Sequence, residues 1–233
     1  MPTLRSAMAP SQDMGRRAHR KHVTRLELLA AGRQLFGEQG LYDCRIEDLT
    51  RHAGVAKGTI YGYFESKQEL MKAVVSSGFD ELLGKVQRET RDARDRGETI
   101  EAAVGAHLAF LRENPDLMRI FHQVRGLLKY HRPEARPLRR VLQDYLAGLA
   151  QLLARPGTAD ALPGDLALEC ATALFGSVSG IASLITSLAE PAPRAFDTPE
   201  ITAGVIALVL SMAGEPAPPA HKRASHPRTS RST

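Results

Sequence analysis

The chain has 233 residues, of which 43% are hydrophobic and 24% charged; this is the balance of a soluble protein with a substantial core, and it excludes fibrous and wholly disordered classes. Its two cysteines, Cys44 and Cys170, lie far apart, which excludes a disulfide scaffold and a paired-cysteine zinc site and predicts buried thiols in a cytoplasmic protein. The net charge of +5 is uneven: residues 1–67 hold 11 Lys/Arg against 7 Asp/Glu, residues 68–214 hold 16 against 18, and residues 215–233 hold 4 against 1. A basic first third points to a polyanion, nucleic acid before membrane.

Residues 1–20 carry Arg5, Arg16, Arg17 and Arg20 without an apolar run, so they read as a disordered basic arm and not as a signal peptide. From there apolar residues recur at steps of three and four, and no stretch alternates as a strand would, so an all-α fold is expected. A first helix is predicted over 24–39, with Leu28, Ala31 and Leu35 on one stripe and Gly40 as its stop. Short helices follow over 46–53, ended by Gly54, and over 57–64. Ser66 and Glu69 form a Ser-x-x-Glu capping box, which starts a long fourth helix near Lys67 that buries Leu70, Val74, Phe79, Leu82 and Val86. Its solvated end is expected over 88–96. Further helices are predicted over 98–113, 115–129, 134–154, 165–189 and 198–213, separated by proline and glycine breaks, before a proline-rich disordered tail at 215–233.

The two short helices, joined by a tight turn at Ala53-Gly54-Val55, have the layout of a helix-turn-helix. Ile46, Leu49, Ala53, Val55, Ile60 and Phe64 pack inward, leaving Lys57, Thr59, Tyr61 and Tyr63 outward. Lysine supplies charge for phosphate, and the hydroxyls of threonine and tyrosine bond bases or phosphates. Gly58 and Gly62 cost helix stability and are explained by close approach of backbone to DNA. Tyr63 and Lys67 also have the Tyr-x-x-x-Lys spacing of a short-chain dehydrogenase. That alternative requires a glycine-rich dinucleotide turn after an early strand, which is not visible, and the capping box breaks the helix between the two residues.

Residues 24–70 resemble the DNA-binding domain of TetR-family transcriptional regulators. The resemblance rests on Leu28-Leu29, Ala31, Leu35-Phe36, Gly40, Ile46, Asp48-Leu49, Ala53-Gly54-Val55, Lys57-Gly58-Thr59-Ile60-Tyr61, Tyr63-Phe64, Ser66-Lys67 and Leu70. It implies a helix-turn-helix domain over 21–67 and an effector-binding and dimerisation domain over 68–214, in a repressor without enzymatic activity, cofactor or metal. Lys57, Thr59, Tyr61, Gly62 and Tyr63 would meet a palindromic operator in double-stranded DNA, Lys67 would hold a phosphate, and Arg45, Arg20, Lys21 and Arg25 would add backbone or minor-groove contacts. Cys44 and Ala56 depart from the family's capping residues, each loss costing about 1 kcal/mol, and Asp43 is a substitute cap for the second helix.

Residues 170–189 are uncharged for 20 positions, long enough to span a bilayer. Their serines, threonines and Gly176-x-x-x-Gly180 pattern suit a packed helix better. By the resemblance, segments 165–189 and 198–213 form a homodimer interface. The middle helices would enclose a pocket for a small-molecule effector, with His107, Phe110, Met118, Phe121, His122 and Arg125 as lining candidates. His122 and Arg125, three apart, share one helix face.

Overall fold

In the computed structural model the backbone is described for residues 10–129, 135–155, 160–188 and 195–215, with side chains from residue 19 onward. These residues form helices α1 (Pro10–Gln39), α2 (Ile46–Ala53), α3 (Lys57–Tyr61), α4 (Lys67–Glu89), α5 (Arg96–Glu113), α6 (Pro115–Lys129), α7 (Arg136–Ala154), α8 (Gly164–Leu188) and α9 (Pro199–Met212), with no strand among them. The all-α expectation holds. Expected residues 1–9, the breaks at 131–133, 156–157 and 191–193, and the tail from 216 lie outside the described residues.

Most boundaries follow local chemistry. Ser66 Oγ accepts the amide of Glu69 at 3.1 Å, while the Glu69 carboxylate accepts the amide of Glu65, so the capping box starts α4 as the spacing requires. Asp95 and Thr198 cap α5 and α9 in the same way. Gly54 closes α2 at φ 65°, a left-handed conformation that costs a residue with a Cβ about 1 kcal/mol or more.

Three expectations are corrected. α1 begins at Pro10, not near Thr24. Proline is tolerated in a first helical turn, and Arg16, Arg17, Ala18, Arg20 and Lys21 are good helix formers that extend a helix already nucleated against the core. α3 ends at Tyr61, and Tyr63 and Phe64 complete the segment as a turn, their amides both bonded to the Ile60 carbonyl at 2.9 Å. The run at 91–95 is a pinned loop and not helix surface, and Arg96 opens α5. Arg155, the C-cap of α7, donates to the carbonyls of Ala93, Arg94 and Asp95, and Arg96 reaches the Ala213 carbonyl and Glu215, both at 2.9 Å.

α1, α2, α3 and the start of α4 close a head around Leu28, Leu35, Phe36, Cys44, Leu49, Ile60, Phe64 and Leu70, all buried. The rest of α4 leads into the body of α5–α9, where Phe79 stacks on Phe121 (4.1 Å between centroids, 6° between planes) and on Tyr145 at 4.7 Å. Head and body meet along α1 and α6. Arg33 bonds Asp116, Asn114 and Glu81, and a Cβ on Gly37 would lie 3.1 Å from the Asp116 Cα, so this glycine lets the two backbones touch. α8 is long and apolar enough to cross a membrane, but Ala167, Cys170, Ala171, Leu174, Phe175 and Val178 on it are buried in the body, as the packed-helix reading requires.

Candidate nucleic-acid interface and effector region

Two buried anchors hold α3 in the head: Ile60 and Phe64 expose 0% and 1% of their surface. That leaves Lys57 and Tyr61 exposed at the outer edge, with Thr59 and Tyr63 half-buried beside them. A Cβ on Gly58 would meet nothing within 4 Å. The glycine therefore answers no packing demand inside the protein, and its effect is to leave the N-terminal part of α3 low and open. Gly62 is different, because its Cβ would lie 3.3 Å from the Thr59 carbonyl oxygen.

Two of the candidate cations, Lys57 and Lys67, are held by the protein itself. Lys57 Nζ sits 2.7 Å from Glu47 on α2; the hydrogen bond from Lys57 holds the Glu47 carboxyl below the usual range, and the same bond raises Lys57. Lys67, half-buried at the start of α4, donates to the Tyr42 carbonyl at 2.6 Å, so it ties α4 to the turn between α1 and α2. Arg45 is exposed at the N-cap of α2. The expected capping arrangement at Cys44 and Asp43 is therefore replaced: Arg45 occupies the cap position and no side chain caps it. Cys44 is fully buried in the head core, which explains an apolar thiol at that place. Ala56 caps α3 without a side-chain bond.

Sequence reasoning missed Glu47 and Tyr42. Glu47 decides how free Lys57 is, and Tyr42 is 43% exposed beside Lys67. Both pairings cross between elements, at separations of 10 and 25 residues, so no helical spacing signals them.

The six effector candidates fall into different surroundings. His107 is buried: its Nδ1 donates to the Ala103 carbonyl at 2.7 Å and its Nε2 accepts the Tyr145 hydroxyl. Burial lowers His107 to about 4 and pushes Tyr145 up. Phe110 and Phe121 are buried, and Phe121 belongs to the aromatic stack. Met118 and His122 line an open recess of about 330 Å³ with Gly37, Gly40, Gln123 and Ser183. His122 Nδ1 lies 2.6 Å from Ser183 Oγ, and Arg125 donates to Ser179 Oγ at 2.9 Å. The two side chains do share a face of α6, and they use it to bond two serines one turn apart on α8. A second recess of about 330 Å³, between α4 and α7, reaches Phe79 and Tyr145 past Lys72, Asp80, Arg140 and Asp144.

Comparison with known proteins follows the same division. Residues 28–74 match the family model described as bacterial regulatory proteins, tetR family. The HTH-type transcriptional repressor KstR2 of Rhodococcus jostii (strain RHA1) is 32% identical over 84 residues, 36% of this chain and 41% of that one. The HTH-type transcriptional activator FasR of Mycolicibacterium smegmatis is 29% identical over 97 residues, 42% and 44% of the two chains. The matched segments thus span less than half the length of these curated relatives. The solved structure of the fatty acid degradation regulator FadR from Bacillus halodurans superposes with a TM-score of 0.64 over 79% of this chain and 96% of that one, at 21% identity, a likeness of fold.

Proposed function

This chain belongs to the tetR family of bacterial regulatory proteins, whose DNA-binding segment it carries at residues 28–74, and from that premise we propose that it works in the cytoplasm as a homodimeric repressor released from its operator by a small molecule. The observation that carries the reading is the outer edge of α3. Lys57 and Tyr61 are exposed there beside the open Gly58, with Thr59 and Tyr63 half-buried next to them, over a core anchored by Ile60 and Phe64. An edge of this kind enters a major groove, with Arg45 and Lys67 on flanking phosphates.

Dimerisation through about 165–189 and 198–213 is supported by an apolar stripe that the body leaves uncovered. Leu168, Leu184 and Leu188 on α8 and Leu208 on α9 are 44–80% exposed, and Gly176 between them has open space around its Cβ position. Burying such a stripe against a second copy removes it from water and lets the α8 helices approach closely. The dimer would present two α3 helices to a palindrome with half-sites about 34 Å apart, or a multiple of that.

The effector is proposed to bind in the body over 68–214, with His107, Phe110, Met118, Phe121, His122 and Arg125 at or behind the site. The seam of Arg33, Asp116 and Gln123 would carry the change to the head. Such a ligand acts by preferring the conformation whose head spacing misfits the operator. A neighbour in fold, the transcriptional regulator FadR from Bacillus subtilis, was solved in complex with stearoyl-CoA, which makes a long-chain acyl-CoA the first probe.

The test is selection of bound duplexes from a randomised pool, followed by titration of the winner with long-chain acyl-CoA. Symmetric half-sites are expected, with a changed preference for Thr59→Ala and weaker DNA binding by Leu184→Glu as the dimer dissociates. A single asymmetric site, read identically by Thr59→Ala, would sink the proposal.

A further inference from the structure

The recess at the seam of head and body, about 330 Å³ in volume, has three walls. Residues 37–40 at the end of α1 form one, Arg119 and His122 on α6 the second, and Ser183 and Ser187 on α8 the third. The volume lies at the low end of small-molecule sites. Met118 is the one larger apolar side chain among the described lining residues, so a long acyl chain has little to bury against there. Ser183 and Ser187 stand one turn apart, about 100° round α8 from the exposed Leu184 and Leu188, and the recess stays beside the apolar stripe and not under it.

These walls differ in polarity. α1 ends at Gln39, and among the described residues no amide bonds the carbonyls of Gly37, Glu38 or Gln39. Such a helix end carries a partial negative charge. The exposed Glu38 carboxylate adds a full one, accepting only from Gln34 at 3.0 Å. On the α6 wall the charge is reversed. Arg119 is exposed and pairs with no described residue. His122 is fixed through Nδ1, 2.6 Å from the hydroxyl of the buried Ser183, which leaves its Nε2 for a ligand.

We propose that this recess binds a small zwitterion of the α-amino acid class, its carboxylate on Arg119 and His122 and its ammonium on Glu38 and the open carbonyls of α1. An amino acid carries an anionic and a cationic group on one carbon, and a donor wall joined to an acceptor wall pairs both. A carboxylate alone would leave an anion beside Glu38, and an amine alone would leave Arg119 without a partner. Bound there, the ligand spans α1, α6 and α8 and ties head to body where Gln123 already holds the Leu41 amide. Of the six effector candidates only Met118 and His122 take part, so the site goes beyond the acyl-CoA reading and does not depend on it.

The test titrates the full chain with the standard L-amino acids, one at a time, by thermal shift and then by calorimetry. At least one should raise the thermal midpoint and bind at millimolar concentration or tighter. Arg119→Gln and Glu38→Gln, both at exposed positions, should each weaken that binding about tenfold or more and leave the midpoint without ligand unchanged. The corresponding α-keto acid, which lacks the ammonium, and the amino acid amide, which lacks the carboxylate, should lose a similar factor. Hydrogen exchange of the Leu41 amide should slow with the amino acid bound. The site is overturned if no amino acid moves the midpoint, or if both substitutions leave binding unchanged. A keto acid that binds as well as its amino acid overturns the zwitterion, and unchanged exchange at Leu41 overturns the tie between head and body. A chain that binds an amino acid and ignores acyl-CoA keeps this site and loses the acyl effector; the reverse result keeps the effector and loses this site.

Discussion

Gln123 on α6 and Leu41, just past the end of α1, are joined by a hydrogen bond from the Leu41 amide to the Gln123 side-chain oxygen at 2.7 Å. The side-chain nitrogen of the same glutamine donates to the Phe36 carbonyl at 3.3 Å. One residue of the body thus takes up the Leu41 amide and adds a second bond to the Phe36 carbonyl, which also accepts the Gly40 amide, where the first helix of the head ends. Gln123→Leu keeps the volume and removes both bonds. The expected cost is about 1–3 kcal/mol, seen as a lower thermal midpoint, together with a weaker response of DNA affinity to effector. An unchanged midpoint would show that water replaces both bonds without loss.

At the interface Glu47 competes with phosphate for Lys57. Glu47→Gln is expected to tighten binding to duplex DNA several-fold, because it removes both the 2.7 Å ion pair and a carboxylate that would face the backbone. Lys57→Ala should weaken binding and lower the salt slope by about one. Fluorescence anisotropy over a salt series measures both, and a Glu47→Gln variant that binds no better than the parent would place Lys57 off the phosphates.

Gly58 separates stability from function. An alanine there meets no atom of the protein within 4 Å, and helix propensity favours it by up to about 1 kcal/mol. Gly58→Ala should therefore raise the thermal midpoint of the free protein and lower its DNA affinity. If affinity holds, DNA does not come close to α3 at this point.

The buried pair His107 and Tyr145 predicts a pH dependence. The folded-state value of His107 is about 4 against an unfolded value near 6.5. The unfolded chain therefore binds the extra proton between those values, and stability falls as pH falls through that window. Above about pH 6.5 the contribution is fully present; its size, about 3 kcal/mol, is gone near pH 4. His107→Gln should flatten the dependence measured by chemical denaturation between pH 7 and 4.5. Tyr145→Phe, which takes away the proton that His107 Nε2 accepts, should cost about 1–3 kcal/mol at neutral pH.

The helices were legible because their signals are local. The spacing of Leu28, Leu35, Ile46, Leu49, Ile60 and Phe64, the Ser66–Glu69 cap and the glycine at 54 each act within a few residues, and each appears where the spacing put it. Where local chemistry was weak the reading slipped. The stripe of like charge before Thr24 hid a helix sustained by its neighbour, and Cys44 looked like a poor cap until its burial showed a core residue.

From its sequence alone this protein has its all-α architecture, the turn at Gly54 and the identity of the residues on the outer edge of α3, since helix periodicity and backbone sterics are properties of neighbours along the chain. Tertiary structure alone decided which polar side chains are occupied and by whom. Glu47 holds Lys57, the Tyr42 carbonyl holds Lys67, Ser179 and Ser183 take Arg125 and His122, and Tyr145 takes His107. These partners are brought together by the packing of separate helices, and a hydrogen bond across 25 or 54 residues leaves no period in the sequence to be read.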